Sequence, residues 1–117
     1  MPEPAVIVTR TYDLVLWIFP KVETFPRSYR HQLGDRIVTS AMDLLLALVR
    51  SAYSTDKARL LESASQETNT LRYLLRLAKD LRVLNVDSYG FASAQIEEIG
   101  RMLGGWQKQV ARRAPPS

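Results

Sequence analysis

The chain has 117 residues, 46% hydrophobic and 24% charged, which suits one folded domain and excludes a disordered polymer. Twelve of its sixteen cations are arginine and the net charge is +4, a bias toward anionic partners. It has no cysteine, which excludes disulfide and thiolate chemistry and is compatible with a reducing cytoplasm.

The longest apolar runs, Leu14 to Phe19 and Leu44 to Val49, are too short to cross a bilayer, and no signal peptide opens the chain. A cytoplasmic protein with no membrane partner is expected. Residues 1–8 contain two prolines and read as a flexible arm. A first helix is predicted over about residues 10–25, capped by Thr9 or Thr11, with Tyr12, Val15, Phe19 and Val22 on its core face. Leu14 to Phe19, Trp17 included, is apolar on every side, so this helix is expected to be buried on more than one side and to self-associate. Pro20 should kink or divide it, and Phe25-Pro26 should end it.

Ser28 is the candidate cap of a second helix over 28–52, whose stripe runs Leu33, Ile37, Ala41, Leu44 or Leu45, and Leu48. Gly34 costs this helix about 1 kcal/mol relative to alanine. After the turn Tyr53 to Asp56, with Thr55 or Asp56 as cap, a third helix is predicted over 56–85 along Leu60, Ala64, Thr68, Leu71, Leu75 and Ala78. Asp87 or Ser88 should open the fourth, over 88–112, with Ala92, Ile96, Ile99, Leu103, Trp106 and Val110 in a heptad-like stripe. Gly100, Gly104 and Gly105 are expected to admit a close backbone neighbour. Residues 113–117 read as a disordered tail. The pattern predicts an all-α, up-down-up-down four-helix bundle over 9–112.

Catalytic chemistry has little to work with. His31 is the lone histidine, no Glu-x-x-His pair or glycine-rich phosphate loop occurs, and no cofactor or metal is expected. Glu97 and Glu98 point to different sides of a helix, and Glu97 is expected to pair with Arg101 four residues on. The protein is not expected to be an enzyme. The conspicuous feature is a cationic row, Arg72, Arg76 and Lys79, with Arg82 beyond it; Arg101, Lys108 and Arg112 line another helix. A row near a helix C-terminus complements the helix dipole. The same row could hold a phosphate backbone or an acidic protein surface. Trp106 falls in the apolar seam, Tyr73 reads as a packing edge, and Trp17 is open between a subunit contact and a partner contact.

Four segments carry a resemblance: Tyr12-Asp13-Leu14 through Phe25-Pro26-Arg27-Ser28-Tyr29-Arg30; Leu33-Gly34-Asp35-Arg36-Ile37; Leu71-Arg72-Tyr73-Leu74-Leu75-Arg76-Leu77-Ala78; and Glu98-Ile99-Gly100-Arg101-Met102-Leu103-Gly104-Gly105-Trp106. In that order, over roughly residues 10–110, they resemble the Avd proteins, the accessory variability determinants of diversity-generating retroelements. The small four-helix proteins encoded in rRNA intervening sequences are similar, and that resemblance gives the alternative expectation, a four-helix bundle with a structural or RNA-binding role. The Avd resemblance implies a basic homopentamer of four-helix bundles, without catalytic activity, that binds a reverse transcriptase and its template RNA in mutagenic cDNA synthesis. It also implies that Arg72 and Arg76 hold the reverse transcriptase. Spacing adds Lys79, Arg101, Lys108 and Arg112 as candidate contacts to RNA, or to DNA, through the phosphate backbone.

Overall fold

The computed structural model describes residues 2–113, with side chains from residue 5 onward. The first helix, α1, spans Pro2–Glu23, so the arm expected over 1–8 is helical from Pro2; Met1 lies outside the described residues. Prolines in a first turn remove no bonded donor. Ile7 and Thr11 extend the buried stripe of Leu14, Ile18 and Val22 backward to the start of the helix. Thr11 is therefore no cap: it sits mid-helix and its buried hydroxyl donates to the Ile7 carbonyl at 2.8 Å. The core face is also rotated from the expected one, with Leu14 and Ile18 inside and Tyr12 and Phe19 exposed. A run apolar on every side carries no phase, so spacing alone could not choose its inner face. α1 runs undivided through Pro20 and ends one turn later.

The second predicted helix is built in three pieces: α2 (Arg27–Tyr29), a π-helical turn (Arg30–Gly34) and α3 (Asp35–Tyr53). Ser28 does not cap it, because Pro26 holds the N-cap position and no side chain bonds there. The predicted stripe is inside: Leu33, Ile37, Ala41, Leu44 and Leu48 are all buried. Gly34 has ordinary helical angles, so its value is space; a Cβ there would stand 2.6 Å from Val22 Cγ1. The end of α1 can lie directly on the π turn only because that side chain is absent. Lys57 then stops α3, its ammonium donating to the Ser51 and Ser54 carbonyls at 2.9 and 2.8 Å.

The third long helix, α4, spans Lys57–Asp80, with Asp56 at its N-cap position but with that carboxylate turned to Arg59. It buries Leu61 in place of the expected Leu60, then Ala64, Thr68, Leu71, Leu75 and Ala78. It ends about five residues before the predicted 85 in a Schellman turn: the Val83 amide donates to the Ala78 carbonyl and the Arg82 amide to the Lys79 carbonyl. Arg82 occupies the left-handed position at φ 64°, where glycine is usual and a side chain costs on the order of 1 kcal/mol. The fourth, α5, spans Val86–Arg113, and Asn85, rather than Asp87 or Ser88, caps it by accepting from the Ser88 amide at 2.8 Å. Residues 114–117 of the expected tail lie outside the described residues.

Among the described residues the fold is all-α, four long helices with no strand. Consecutive helices pack on one another and α1 also packs on α5, closing a four-helix bundle around one core. The fourth predicted stripe is also inside, with Ala92, Ile96, Ile99, Leu103 and Trp106 buried. Buried hydroxyls of the core are satisfied locally: Thr68 of α4 and Ser51 of α3 donate to carbonyls one turn back in their own helices.

Candidate partner-binding surface

α4 and α5 run antiparallel, as three contacts show: Gln107 to Leu61, Glu97 to Arg72, and Tyr89 to Lys79. That register sets the surroundings of every candidate cation. Arg72 faces α5. Its Nε donates to Glu97 Oε1 at 3.0 Å, a second nitrogen donates to Asn69, and the side chain is 34% exposed. The expected close backbone neighbour of Gly100 is absent among the described residues: a Cβ there would meet only side chains, Arg72 Nη2 at 3.5 Å and Thr68 Cγ2 at 4.0 Å, both ordinary contacts.

Arg76, one turn on, is different. It is 62% exposed, and its contact with Asp80, at 3.9 Å, joins two groups that both stand well into solvent. Lys79 is intermediate, with Asp80 at 3.4 Å and its ammonium 4.8 Å from the centre of the Tyr89 ring. The predicted row is therefore real as spacing but graded in availability: Arg72 braces two helices, Lys79 leans on α5, and Arg76 is the open member.

On α5 the expected Glu97–Arg101 pair does not form. Glu97 reaches across to Arg72, and Arg101 bonds its neighbour three residues back, Glu98. A cross-helix guanidinium already held by Asn69 outcompetes an exposed i,i+4 partner, and a local spacing rule cannot see it. The Arg101 bond holds the Glu98 carboxyl below its ordinary range and pushes the Arg101 guanidinium up. Arg72 and Arg101 thus line one groove between α4 and α5, floored by Thr68 and Gly100, with both glutamates in it. Lys108 and Arg112 stand apart. Arg112 lies roughly 16 Å along the helix from Arg101 at 1.5 Å per residue. Both are exposed, and neither makes a side-chain hydrogen bond or ion pair among the described residues.

Gly104 and Gly105 do not admit the expected close neighbour among the described residues, since a Cβ at either would meet nothing within 4 Å. Nothing in the structure explains them. His31 is exposed beside Asp35 at 3.6 Å, a surface pair. Among the described residues no group of three or more His, Cys, Asp or Glu could hold a metal, and no helix is long and apolar enough to cross a membrane.

Sequence reasoning did not mark Arg36, and named Arg82 only as an extension of the row; both are exposed arginines without a side-chain partner among the described residues. The pattern that defines the bAvd-like family matches residues 5–110. The chain belongs to the bAvd-like family. That span takes in α3 and α4 whole, α1 and α5 but for three residues at their outer ends, and every candidate cation except Arg112. A search of the curated proteins returned no match. In bAvd-like terms, the resemblance read from the four sequence segments and the family pattern cover almost the same residues.

Proposed function

We propose that the protein is a non-enzymatic accessory subunit of a diversity-generating retroelement, acting in the cytoplasm to hold the reverse transcriptase and its template RNA during mutagenic cDNA synthesis. Membership of the bAvd-like family over residues 5–110 carries this reading. In it, the chain is an up-down-up-down bundle; Arg76 and Arg72 serve the reverse transcriptase, and Lys79, Arg101, Lys108 and Arg112 serve phosphates of RNA or DNA. The exposure of Lys108 and Arg112 supports it, because an anion can reach them without first displacing an internal partner, and Arg76 has only its long, solvent-exposed contact with Asp80 to give up. Arg72 has to be recruited from Glu97.

The same reading makes the protein a homo-oligomer, five copies in a ring. Tyr12, Leu16 and Phe19 on α1 and Met42 and Leu46 on α3 are exposed apolar side chains on two helices that pack together. Tyr12, Leu16 and Phe19 at i, i+4 and i+7, and Met42 and Leu46 at i and i+4, each mark one side of their helix, and a monomer seldom leaves so many large apolar side chains open. A ring would cover them with a different face of the next copy.

The experiment is binding of the chain to a purified reverse transcriptase of a diversity-generating retroelement, and to its template RNA over a salt series. Capture of the enzyme is expected, together with RNA affinity that falls with salt at a log–log slope of about −3, as four phosphate contacts on a single strand give. No capture together with a flat salt response would overturn the reading.

A further inference from the structure

At the turn from α3 to α4 an aromatic ring stands in water between two arginines. Tyr53, the last residue of α3, is 89% exposed, and exposed Arg50 lies one turn before it. Neither side chain makes a hydrogen bond, ion pair or ring contact among the described residues. With Val49, Ser54, Arg59 and Leu60 they line a shallow groove of about 440 Å³.

No carboxylate lines this groove. The α4–α5 groove, by contrast, holds Glu97 and Glu98 among its arginines, and the other end of the α3–α4 groove holds Asp35, Asp43 and Glu67. The acids in the flanking segments are Asp43, Asp56 and Glu62. Asp56 accepts from Arg59 Nε at 2.6 Å, which leaves the other donors of that guanidinium, 69% exposed, for a ligand. Asp43 lies two turns back along α3, roughly 10 Å from Arg50 and about a Debye length at physiological salt. Glu62 stands one turn beyond Arg59, outside the lining. A helix C-terminus ordinarily repels anions, but the Lys57 ammonium covers that of α3 by donating to the Ser51 and Ser54 carbonyls. The amide of Gln107 donates to the Leu61 carbonyl at 3.5 Å, so the end of α5, with Lys108 and Arg112, lies beside the start of α4.

We propose that this turn is a subsite for single-stranded RNA, in which one base stacks on the Tyr53 ring and Arg50 and Arg59 hold the adjoining phosphates. An exposed ring offers its face to any base, and cations beside it track the backbone. A duplex keeps its base faces inside its own stack and gains the phosphate contacts alone. A protein partner fits less well, because one ring, about 150–250 Å², and the edges of two half-buried side chains fall short of the roughly 800 Å² a stable interface buries per partner. A second copy is the other rival, since Met42 and Leu46 lie on the same side of α3. Their exposure, 37% and 43%, rises to 89% at Tyr53, so the ring stands clear of that stripe, beyond an arginine that a neighbour would have to neutralise. The inference rests on the reading above that the chain binds template RNA, and adds where and by what chemistry a single strand is gripped.

The test measures binding of the chain to template RNA, to a labelled uridine oligonucleotide, which stays single-stranded, and to the same oligonucleotide annealed to its adenosine complement. The variants are Tyr53→Ala, Tyr53→Phe and Arg50→Gln. Tyr53→Ala should bind the single strand about tenfold more weakly, within the range for one stacked base, and the duplex as wild type does. Tyr53→Phe keeps the ring and should bind the single strand like wild type. Arg50→Gln should flatten the log–log salt slope for the single strand by about 0.7, one phosphate contact. All three should keep the wild-type melting temperature, oligomeric mass and reverse-transcriptase affinity. Wild-type single-strand affinity in Tyr53→Ala, an equal loss in Tyr53→Phe, or an unchanged slope in Arg50→Gln would overturn the subsite alone. A lower mass would assign the turn to a second copy, and a loss confined to the enzyme would assign it to protein; either overturns the proposal. If wild type binds neither template RNA nor the oligonucleotide, the RNA half of the parent reading falls with the subsite.

Discussion

Arg72 and Arg76 are four residues apart in one sequence motif, yet the structure predicts different consequences when each is cut to alanine. Arg72→Ala removes a 3.0 Å cross-helix contact to Glu97 and a hydrogen bond to Asn69. Because the arginine is a third exposed and Glu97 is 65% exposed, solvent screening discounts the ion pair to about 0.5 kcal/mol, and lost packing over Gly100 brings the total to about 1 kcal/mol. In a domain of this size that lowers the melting temperature by about 4 °C. Arg76→Ala removes a 3.9 Å contact between two exposed groups, about 0.3 kcal/mol, and should leave the melting curve almost unmoved. Circular-dichroism melting at one fixed protein concentration reads both changes. The cycle Arg72→Ala, Glu97→Ala and the double variant isolates the pair, with an expected coupling of about 0.5 kcal/mol. The same proteins tested against the reverse transcriptase should show Arg76→Ala as a clean binding loss and Arg72→Ala as a binding loss joined to lower stability. Zero coupling to Glu97 with an unchanged melting temperature would refute the bracing role and make Arg72 as available as Arg76.

Three further outcomes are expected. Gly34→Ala should destabilise by about 1–2 kcal/mol despite its better helix propensity, because the new Cβ strikes the stiff, buried Val22, and adding Val22→Ala should recover part of the loss in a denaturant titration. Leu16→Glu, on the exposed side of α1, should lower the oligomeric mass in light scattering while preserving helical content. The Glu98 carboxyl, held low by Arg101, favours the folded state above the unfolded carboxylate pKa, and that contribution is lost as pH falls through the depressed folded value. In Arg101→Gln its NMR titration should therefore move back up.

How far the fold could be read depended on whether a segment's apolar residues marked one phase. In α5 they do, with polar residues between them, and every predicted core position through Trp106 is buried. In α1 Leu14 to Phe19 supplies apolar atoms in all directions, so the choice between Tyr12 and Leu14 is made by packing on α3 and α5, beyond the reach of spacing. Element ends were missed for a related reason. Pro2 and Pro4 resemble linker residues unless they fall in a first turn, and Arg82 is an improbable residue for the turn that stops α4. The candidate site was legible as a row of cations but not as a hierarchy. Local spacing paired Glu97 with Arg101, whereas the partner that decides Arg72's state is 25 positions away, on a helix whose register only the folded bundle fixes.

That hierarchy bears on how a braced arginine could serve a partner at all. Releasing Arg72 from Glu97 costs about 0.5 kcal/mol, whereas a charge-assisted hydrogen bond to an incoming anion, once shielded from water, is worth about 1.5–3 kcal/mol. The exchange is therefore favourable only where the partner also excludes solvent. An isolated phosphate or chloride ion does not do that, so Glu97 filters weak anions away from Arg72 while leaving it open to a docked surface. Glu97→Gln removes the filter. It should raise the affinity of the α4–α5 groove for inorganic phosphate while changing reverse-transcriptase affinity little, and calorimetry of both ligands reads the two effects separately. Equal phosphate affinity in wild type and Glu97→Gln would show that the carboxylate does not compete for Arg72.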